Sequence, residues 1–94
     1  MILLTGGNGL LGTELQKHRE YFAPASRELD VTNTERVVNT VVSACPACIV
    51  HCAAYTDVRK AEIEWEECYR INVIGTQNMV AVAKTIDAEF VYLS

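Results

Sequence analysis

The stretch Ile2-Leu3-Leu4-Thr5-Gly6-Gly7-Asn8-Gly9-Leu10-Leu11-Gly12 opens the chain and decides its fold. Its first four residues are an apolar run that predicts a short buried strand, and the glycines behind it predict a tight turn. Beyond Leu10 the pattern changes. Leu11 and Leu15 lie one helical turn apart while Glu14, Gln16, Lys17 and Arg19 fill the other face, which predicts an amphipathic helix over 10–20. Glycines at 6, 9 and 12 include the string Gly7-x-Gly9-x-x-Gly12. Set between a strand and a helix, that string points to a dinucleotide pyrophosphate. Gly6 permits the sharp turn, Gly9 lets the phosphates approach the backbone, and Gly12 lets the helix pack closely on the sheet. The first amides of the helix carry partial positive charge, which suits an anion. A Walker-type phosphate loop is excluded, because no Lys-Ser or Lys-Thr follows the glycines.

Outward from this unit, strands and helices alternate. Residues 21–25 are a weaker strand candidate, ended by Pro24, which lacks an amide hydrogen. Leu29-Asp30-Val31 is another short strand candidate. Thr32-Asn33-Thr34-Glu35 fits a capping box with Thr32 as N-cap. Val37, Val38, Val41 and Val42 then recur at helical spacing, and Pro46 follows the helix end. Residues 48–52 read as a second buried strand and 53–60 as a loop or short turn. Residues 65–86 read as one long helix, with Trp65, Cys68, Ile71, Met79, Ala83 and Ile86 on a broad face. Glu89-Phe90-Val91-Tyr92-Leu93 is the last strand. This order predicts an α/β fold: a Rossmann-type doubly wound parallel sheet, incomplete at about five strands, with helices on both faces. Such sheets bind ligands at the carboxyl ends of their strands, where strand order reverses, and the glycine turn sits at one such end.

The 94 residues suit one small domain, and with 50% hydrophobic residues the chain is not a disordered one. Eight basic residues against twelve acidic ones give a net charge of -4. The basic residues are scattered, so no nucleic-acid partner is expected. No apolar run approaches the ~20 residues of a membrane span, and nothing resembles a secretory leader, so the expectation is a cytoplasmic chain with no membrane partner and reduced thiols. Cys45-Pro46-Ala47-Cys48 has the spacing of a redox or zinc half-site. No second pair follows, and Cys48 belongs to the apolar run Cys48-Ile49-Val50, which favours buried or incidental thiols over a small redox protein and predicts no metal site.

Taken in order, four motifs resemble the N-terminal part of an extended short-chain dehydrogenase/reductase, most closely the dTDP-4-dehydrorhamnose reductase type. They are the glycine stretch 5–12, Glu28-Leu29-Asp30-Val31-Thr32, His51-Cys52-Ala53-Ala54-Tyr55-Thr56, and Ile71-Asn72-Val73-Ile74-Gly75-Thr76-Gln77-Asn78. Phe90-Val91-Tyr92-Leu93-Ser94 matches the strand that leads to the family's catalytic hydroxyl. The resemblance implies that Gly6, Asn8, Gly9, Leu10 and Leu11 line the pyrophosphate. It implies that Asp30 and Val31 flank the adenine, with the Asp30 carboxylate accepting from the exocyclic amine. Ala53, Ala54, Tyr55 and Thr56 would run under the ribose and nicotinamide, and Asn72 would face the active site from mid-helix. Asn is a poor helix-interior residue, which fits a polar task there.

In sheets of this type the residue about 20 positions past the turn selects the cofactor: an acid bonds a ribose 2′-hydroxyl and an Arg accommodates a 2′-phosphate. Counting from Gly6 reaches Ser26 and Arg27, which predicts NADP(H) over NAD(H). The chain departs from the family at Arg59, where Asp is frequent, and it has no Tyr-x-x-x-Lys. These 94 residues alone are therefore expected to bind cofactor without reducing a carbonyl, the dTDP-sugar being a partner only of a complete enzyme. The apolar edge at 89–93 is expected to favour self-association. A second reading is a non-catalytic regulatory subunit resembling that of methionine adenosyltransferase, which shares the glycine loop and the His-Cys-Ala-Ala segment.

Overall fold

The computed structural model describes residues 1–52 and 65–93, with Trp65 and Cys68 described in backbone only. Strand β1 (Ile2–Thr5) runs parallel to β2 (Cys48–His51), with Leu3 opposite Ile49 and Thr5 opposite His51. Strand β3 (Glu89–Tyr92) lies on the far side of β2, also parallel, with Ile49 opposite Phe90. On the other flank of β1, Phe22 forms a single parallel bridge to Leu3. The Phe22 N–H donates to the Ile2 carbonyl at 2.9 Å, and the Leu4 N–H donates to the Phe22 carbonyl at 2.8 Å. The spatial order is thus Phe22, β1, β2, β3. The chain leaves β1 for one neighbour and later returns to the other, so strand order reverses at β1, where the glycine turn stands. This is the expected Rossmann-type, doubly wound parallel arrangement.

Helix α1 (Leu10–Leu15) follows the glycine turn, and α2 (Thr34–Ala44) precedes β2. Between β2 and β3 run α3 (Trp65–Tyr69), a π-helical turn (Arg70–Gly75) and α4 (Thr76–Thr85). Side-chain alternation on the strands divides the core. Leu3 and Ile49 face α2 and α4, where they meet Val37, Val41, Met79, Val82 and Ala83; Leu29 and Val31 complete that cluster. Leu4 and Val50 point to the opposite face and are buried as well. Two buried faces explain why these strands read as continuous apolar runs rather than as alternating ones.

The structure corrects several local expectations. In place of about five strands, the described residues form three strands and the one bridge at Phe22. Leu29-Asp30-Val31 is no strand but part of a turn. Leu29 and Val31 are buried there because the turn folds them onto the α2 and α4 side, while Asp30 stays exposed and accepts from the Thr32 N–H at 3.0 Å and the Thr32 hydroxyl at 2.7 Å. The N-cap of α2 is Asn33, not Thr32: Asn33 Oδ1 accepts from the Arg36 N–H at 3.0 Å, while Thr32 is bound to Asp30 through both its hydroxyl and its N–H. Helix α1 ends at Leu15 rather than Glu20, tightening into a turn in which Lys17 and His18 donate three residues back, to Glu14 and Leu15. The long helix over 65–86 is present but divided by its π-helical turn.

Among the α2 valines, Val37 and Val41 are buried and Val38 and Val42 are exposed. On the long helix Met79 and Ala83 are buried, while the side chains of Trp65 and Cys68 lie outside the described residues.

Candidate functional site

Between β1 and α1 the backbone turns at Gly6, whose φ of 70° belongs to the left-handed region that glycine adopts without strain. The Gly9 N–H donates to the Gly6 carbonyl at 3.1 Å and closes the turn. Gly12 then sits so close to it that a Cβ there would lie 2.2 Å from the Gly6 carbonyl oxygen. No side chain could be accommodated at 12 without moving the turn. At Gly9 the situation differs: among the described residues, a Cβ would meet only the Gly6 carbonyl oxygen, at 3.4 Å, so these residues leave room at Gly9. Gly9 is the N-cap of α1 and has no capping side chain, so the first-turn amides are available to an acceptor from outside. Gly6, Asn8, Gly9, Leu10 and Leu11 are exposed and Gly12 is buried.

Two residues that the sequence analysis leaves without a role hold this turn. Gln16 Nε2 donates to the carbonyls of Gly7 at 2.9 Å and Gly12 at 3.2 Å, and the Thr13 hydroxyl donates to Gly7 at 3.3 Å. Their spacing, one turn into an amphipathic helix, reads from sequence only as a solvated face.

The far rim comes from the segment after Phe22. A Cβ on Gly7 would lie 3.2 Å from Ala23 Cβ, so this segment borders the glycine turn directly. Residues 25–29 form a helical turn in which the N–H groups of Glu28 and Leu29 donate to the Ala25 carbonyl. Glu28 Oε1 accepts from the Ala25 N–H at 3.1 Å, which draws this carboxylate back onto its own backbone. Ser26 and Arg27 are exposed on the same turn. Next along the rim, Asp30 is held below the ordinary carboxylate value of 3.8 by the Thr32 hydroxyl and N–H; partial burial opposes the shift and the Arg70 charge assists it. Val31 turns its side chain into the core, leaving its backbone on the rim.

At the carboxyl end of β2 lies a feature the sequence does not disclose. His51 is fully buried. Its Nδ1 shares a hydrogen bond with the Thr5 hydroxyl at 2.6 Å, and its Nε2 shares one with the Thr76 hydroxyl at 3.0 Å. A neutral imidazole has one donor and one acceptor nitrogen, and two hydroxyls match either tautomer. The ring lies beside Phe90 and Tyr92. His51 thereby joins the residue before the glycine turn to the helix that carries Asn72. Asn72 itself is half-buried within the π-helical turn, a distortion frequent at functional sites. Ala53, Ala54, Tyr55, Thr56 and Arg59 lie outside the described residues.

Cys45 and Cys48 stand at the amino end of β2, away from the glycine turn. Cys45 is the exposed, left-handed C-cap of α2, Cys48 is half-buried, and both are free thiols. Burial pushes the Cys52 thiol up. A groove of about 880 Å3 runs along α2 between Phe22 and Asn33, Arg36, Asn39 and Ser43; no residue of the glycine turn lines it. Among the described residues, no three His, Cys, Asp or Glu side chains are grouped to hold a metal ion, and no helix is long and apolar enough to cross a membrane.

Comparison with known proteins gives a consistent set of matches. The family model described as RmlD substrate binding domain matches residues 1–94. The dTDP-4-dehydrorhamnose reductase of Aggregatibacter actinomycetemcomitans is 34% identical over 99% of this chain and 34% of its own length. The structure of dTDP-4-dehydrorhamnose reductase from Bacillus anthracis in complex with NADP superposes with a TM-score of 0.91 at 37% identity, covering 99% of this chain and 35% of that one. The ortholog from Clostridium acetobutylicum gives a TM-score of 0.85 at 37% identity, over 95% of this chain and 34% of that one. The chain spans about a third of the length of the curated relatives it matches.

The buried imidazole makes a prediction about pH. Burial pushes His51 from 6.5 down to about 4, so the unfolded chain takes up its proton first as pH falls. Folding stability is therefore expected to decline from about pH 6.5 to about pH 4, by up to about 3 kcal/mol. In His51→Gln the decline over the upper part of that window should largely vanish. Urea melts of both proteins at a series of pH values measure this, and equal slopes would show that His51 does not titrate as described.

Proposed function

The chain belongs to the RmlD substrate binding domain family, and we propose that residues 1–94 are the dinucleotide-binding segment of a sugar-nucleotide reductase of the dTDP-4-dehydrorhamnose reductase type. In this reading the catalytic Tyr and Lys and the substrate-binding part come from outside these residues. The observation that carries it is the glycine turn at the carboxyl end of β1, where strand order reverses, with space over Gly9 that the described residues leave open. The names of the relatives support the reaction class, and the NADP complex of the Bacillus anthracis protein supports the cofactor class.

The assigned roles follow the rim of the cleft. Gly6, Asn8, Gly9, Leu10, Leu11 and Gly12 form the pyrophosphate cradle, with backbone amides as donors. Ser26 and Arg27 receive a 2′-phosphate. Glu28, drawn back to the Ala25 amide, is not extended to repel it, which favours NADP(H) over NAD(H). Asp30 accepts from the adenine amine, held ionised by Thr32. Val31 flanks the adenine with its backbone. The family resemblance assigns Ala53, Ala54, Tyr55 and Thr56, which lie outside the described residues, to the ribose and nicotinamide, and Asn72 to the active-site side. Hydride for the 4-keto carbon of a dTDP-linked deoxysugar is the chemistry that a bound dihydronicotinamide supplies. His51 keeps the cradle and the Asn72 helix in register through two hydroxyls, without a charge to disturb them.

Two substitutions test the assignment. Gly9→Val places its side chain where the protein has room, so helical content and melting should change little while dinucleotide binding is abolished. Unchanged affinity by calorimetry would remove the turn from the site. Arg27→Ala should weaken NADPH by about 1.5–3 kcal/mol and NADH hardly at all, as expected for one charge-assisted bond. Equal losses for both cofactors, or none for either, would remove Arg27.

A further inference from the structure

The turn that presents Asp30 is gripped from a distant helix. Asn78, near the start of α4, donates from Nδ2 to the Val31 carbonyl at 2.9 Å and accepts on Oδ1 from the Thr34 hydroxyl at 3.2 Å. One amide thus bridges both sides of Thr32 and Asn33. One helical turn earlier, Gly75 lies so close to Val31 that a Cβ there would be 2.5 Å from Val31 Cγ2. Helix α4 and the residue before it therefore meet this turn at two points. Within the turn, Thr32 fixes the conformation of the Asp30 carboxylate, since its hydroxyl and N–H both donate to Oδ1. Those local bonds orient the carboxylate relative to the turn but do not set where the turn sits. The contacts to α4 do.

We propose that Asn78 is a positioning residue for the adenine end of the dinucleotide: by tying the Val31 carbonyl and the Thr34 hydroxyl to α4, it holds the Asp30 carboxylate where the adenine exocyclic amine must reach it. This rests on the dinucleotide reading above and adds to it a residue that touches no ligand. The chemistry demands an amide. One end must donate to a carbonyl and the other must accept from a hydroxyl, and Asn is the shortest side chain that offers both. Asp has the same shape, but its carboxylate would face the Val31 carbonyl with acceptor against acceptor. A buried valine already anchors the turn in the core, so what the Asn78 bonds add is a fixed position for the backbone beside Asp30. Fixing that position before the ligand arrives lowers the ordering cost of binding.

The test is a ratio of affinities in the full chain. NADPH is compared with its hypoxanthine analogue, in which a carbonyl replaces the exocyclic amine. The unsubstituted protein should prefer NADPH by about tenfold or more, because the analogue sets a carbonyl against the Asp30 carboxylate. In Asn78→Asp the ratio should fall toward one, with affinity for the analogue kept within about threefold. A residue that merely stabilised the fold would lower both affinities together and leave the ratio intact. Should Asn78→Asp fail to melt cooperatively, Asn78→Ala reads the same ratio. A preserved ratio in a folded variant overturns the role of Asn78 while leaving the dinucleotide reading in place. If the unsubstituted chain binds both dinucleotides without discriminating, the adenine contact of Asp30 falls and this inference with it; if it binds neither, the dinucleotide reading itself falls.

Discussion

A backbone-to-backbone contact between Gly12 and the Gly6 turn governs this structure. With 2.2 Å between the Gly6 carbonyl oxygen and the place a Cβ would take at Gly12, the turn keeps this shape only if residue 12 is glycine. That contact brings the first turn of α1 against the Gly6 turn. The left-handed Gly6 makes the reversal possible, and Gln16 and Thr13 hold the Gly7 carbonyl that would otherwise be loose. Overpacking such a contact costs about 1–3 kcal/mol, a large share of the stability a domain of this size has to lose. The cradle and the fold are thus one feature.

From this contact the remaining elements are placed by a few long-range bonds. The hydroxyl of Thr5, just before the turn, reaches His51 on the neighbouring strand, and His51 reaches Thr76 on α4. Three chain segments far apart in sequence are locked at one end of the sheet. Among the described residues the buried imidazole has no charged partner, and its two hydrogen bonds are to hydroxyls. Such networks fix geometry at little net gain in stability. Asn78 repeats the device on the neighbouring turn, again with a polar side chain on α4 tying down a loop that borders the cleft.

Much of this was legible from residue order. The apolar runs at 2–5 and 48–51 became strands buried on both faces, and the run at 89–92 became the more exposed strand beside β2. The glycine spacing located the turn between β1 and α1. What the sequence concealed has physical causes. Leu29 and Val31 alternate with Asp30 as a strand would, yet a turn can bury the same two side chains by folding over the core. Thr32 and Asn33 are both good caps by residue type; the helix starts one residue later than the capping-box pattern implies, with Asn33 as cap and Thr32 folded into the Asp30 turn. Nothing in the run from Arg70 to Gly75 announces a π-helical turn. His51 sits in an apolar strand, and its partners lie 46 and 25 residues away, beyond the reach of any local pattern. Asn78 stood inside a quoted motif without a role for the same reason.

The central claim is that the glycine turn at the strand-order reversal receives a dinucleotide. The most direct measurement is a titration of the 15N-labelled chain with NADPH, followed by amide resonances. The account predicts the largest shifts at Gly6, Gly7, Asn8, Gly9, Leu10 and Leu11, with a second group at Arg27 and Asp30. Shifts confined to Asn33, Arg36, Asn39 and Ser43 along the α2 groove, or no shifts at saturating concentration, would contradict it.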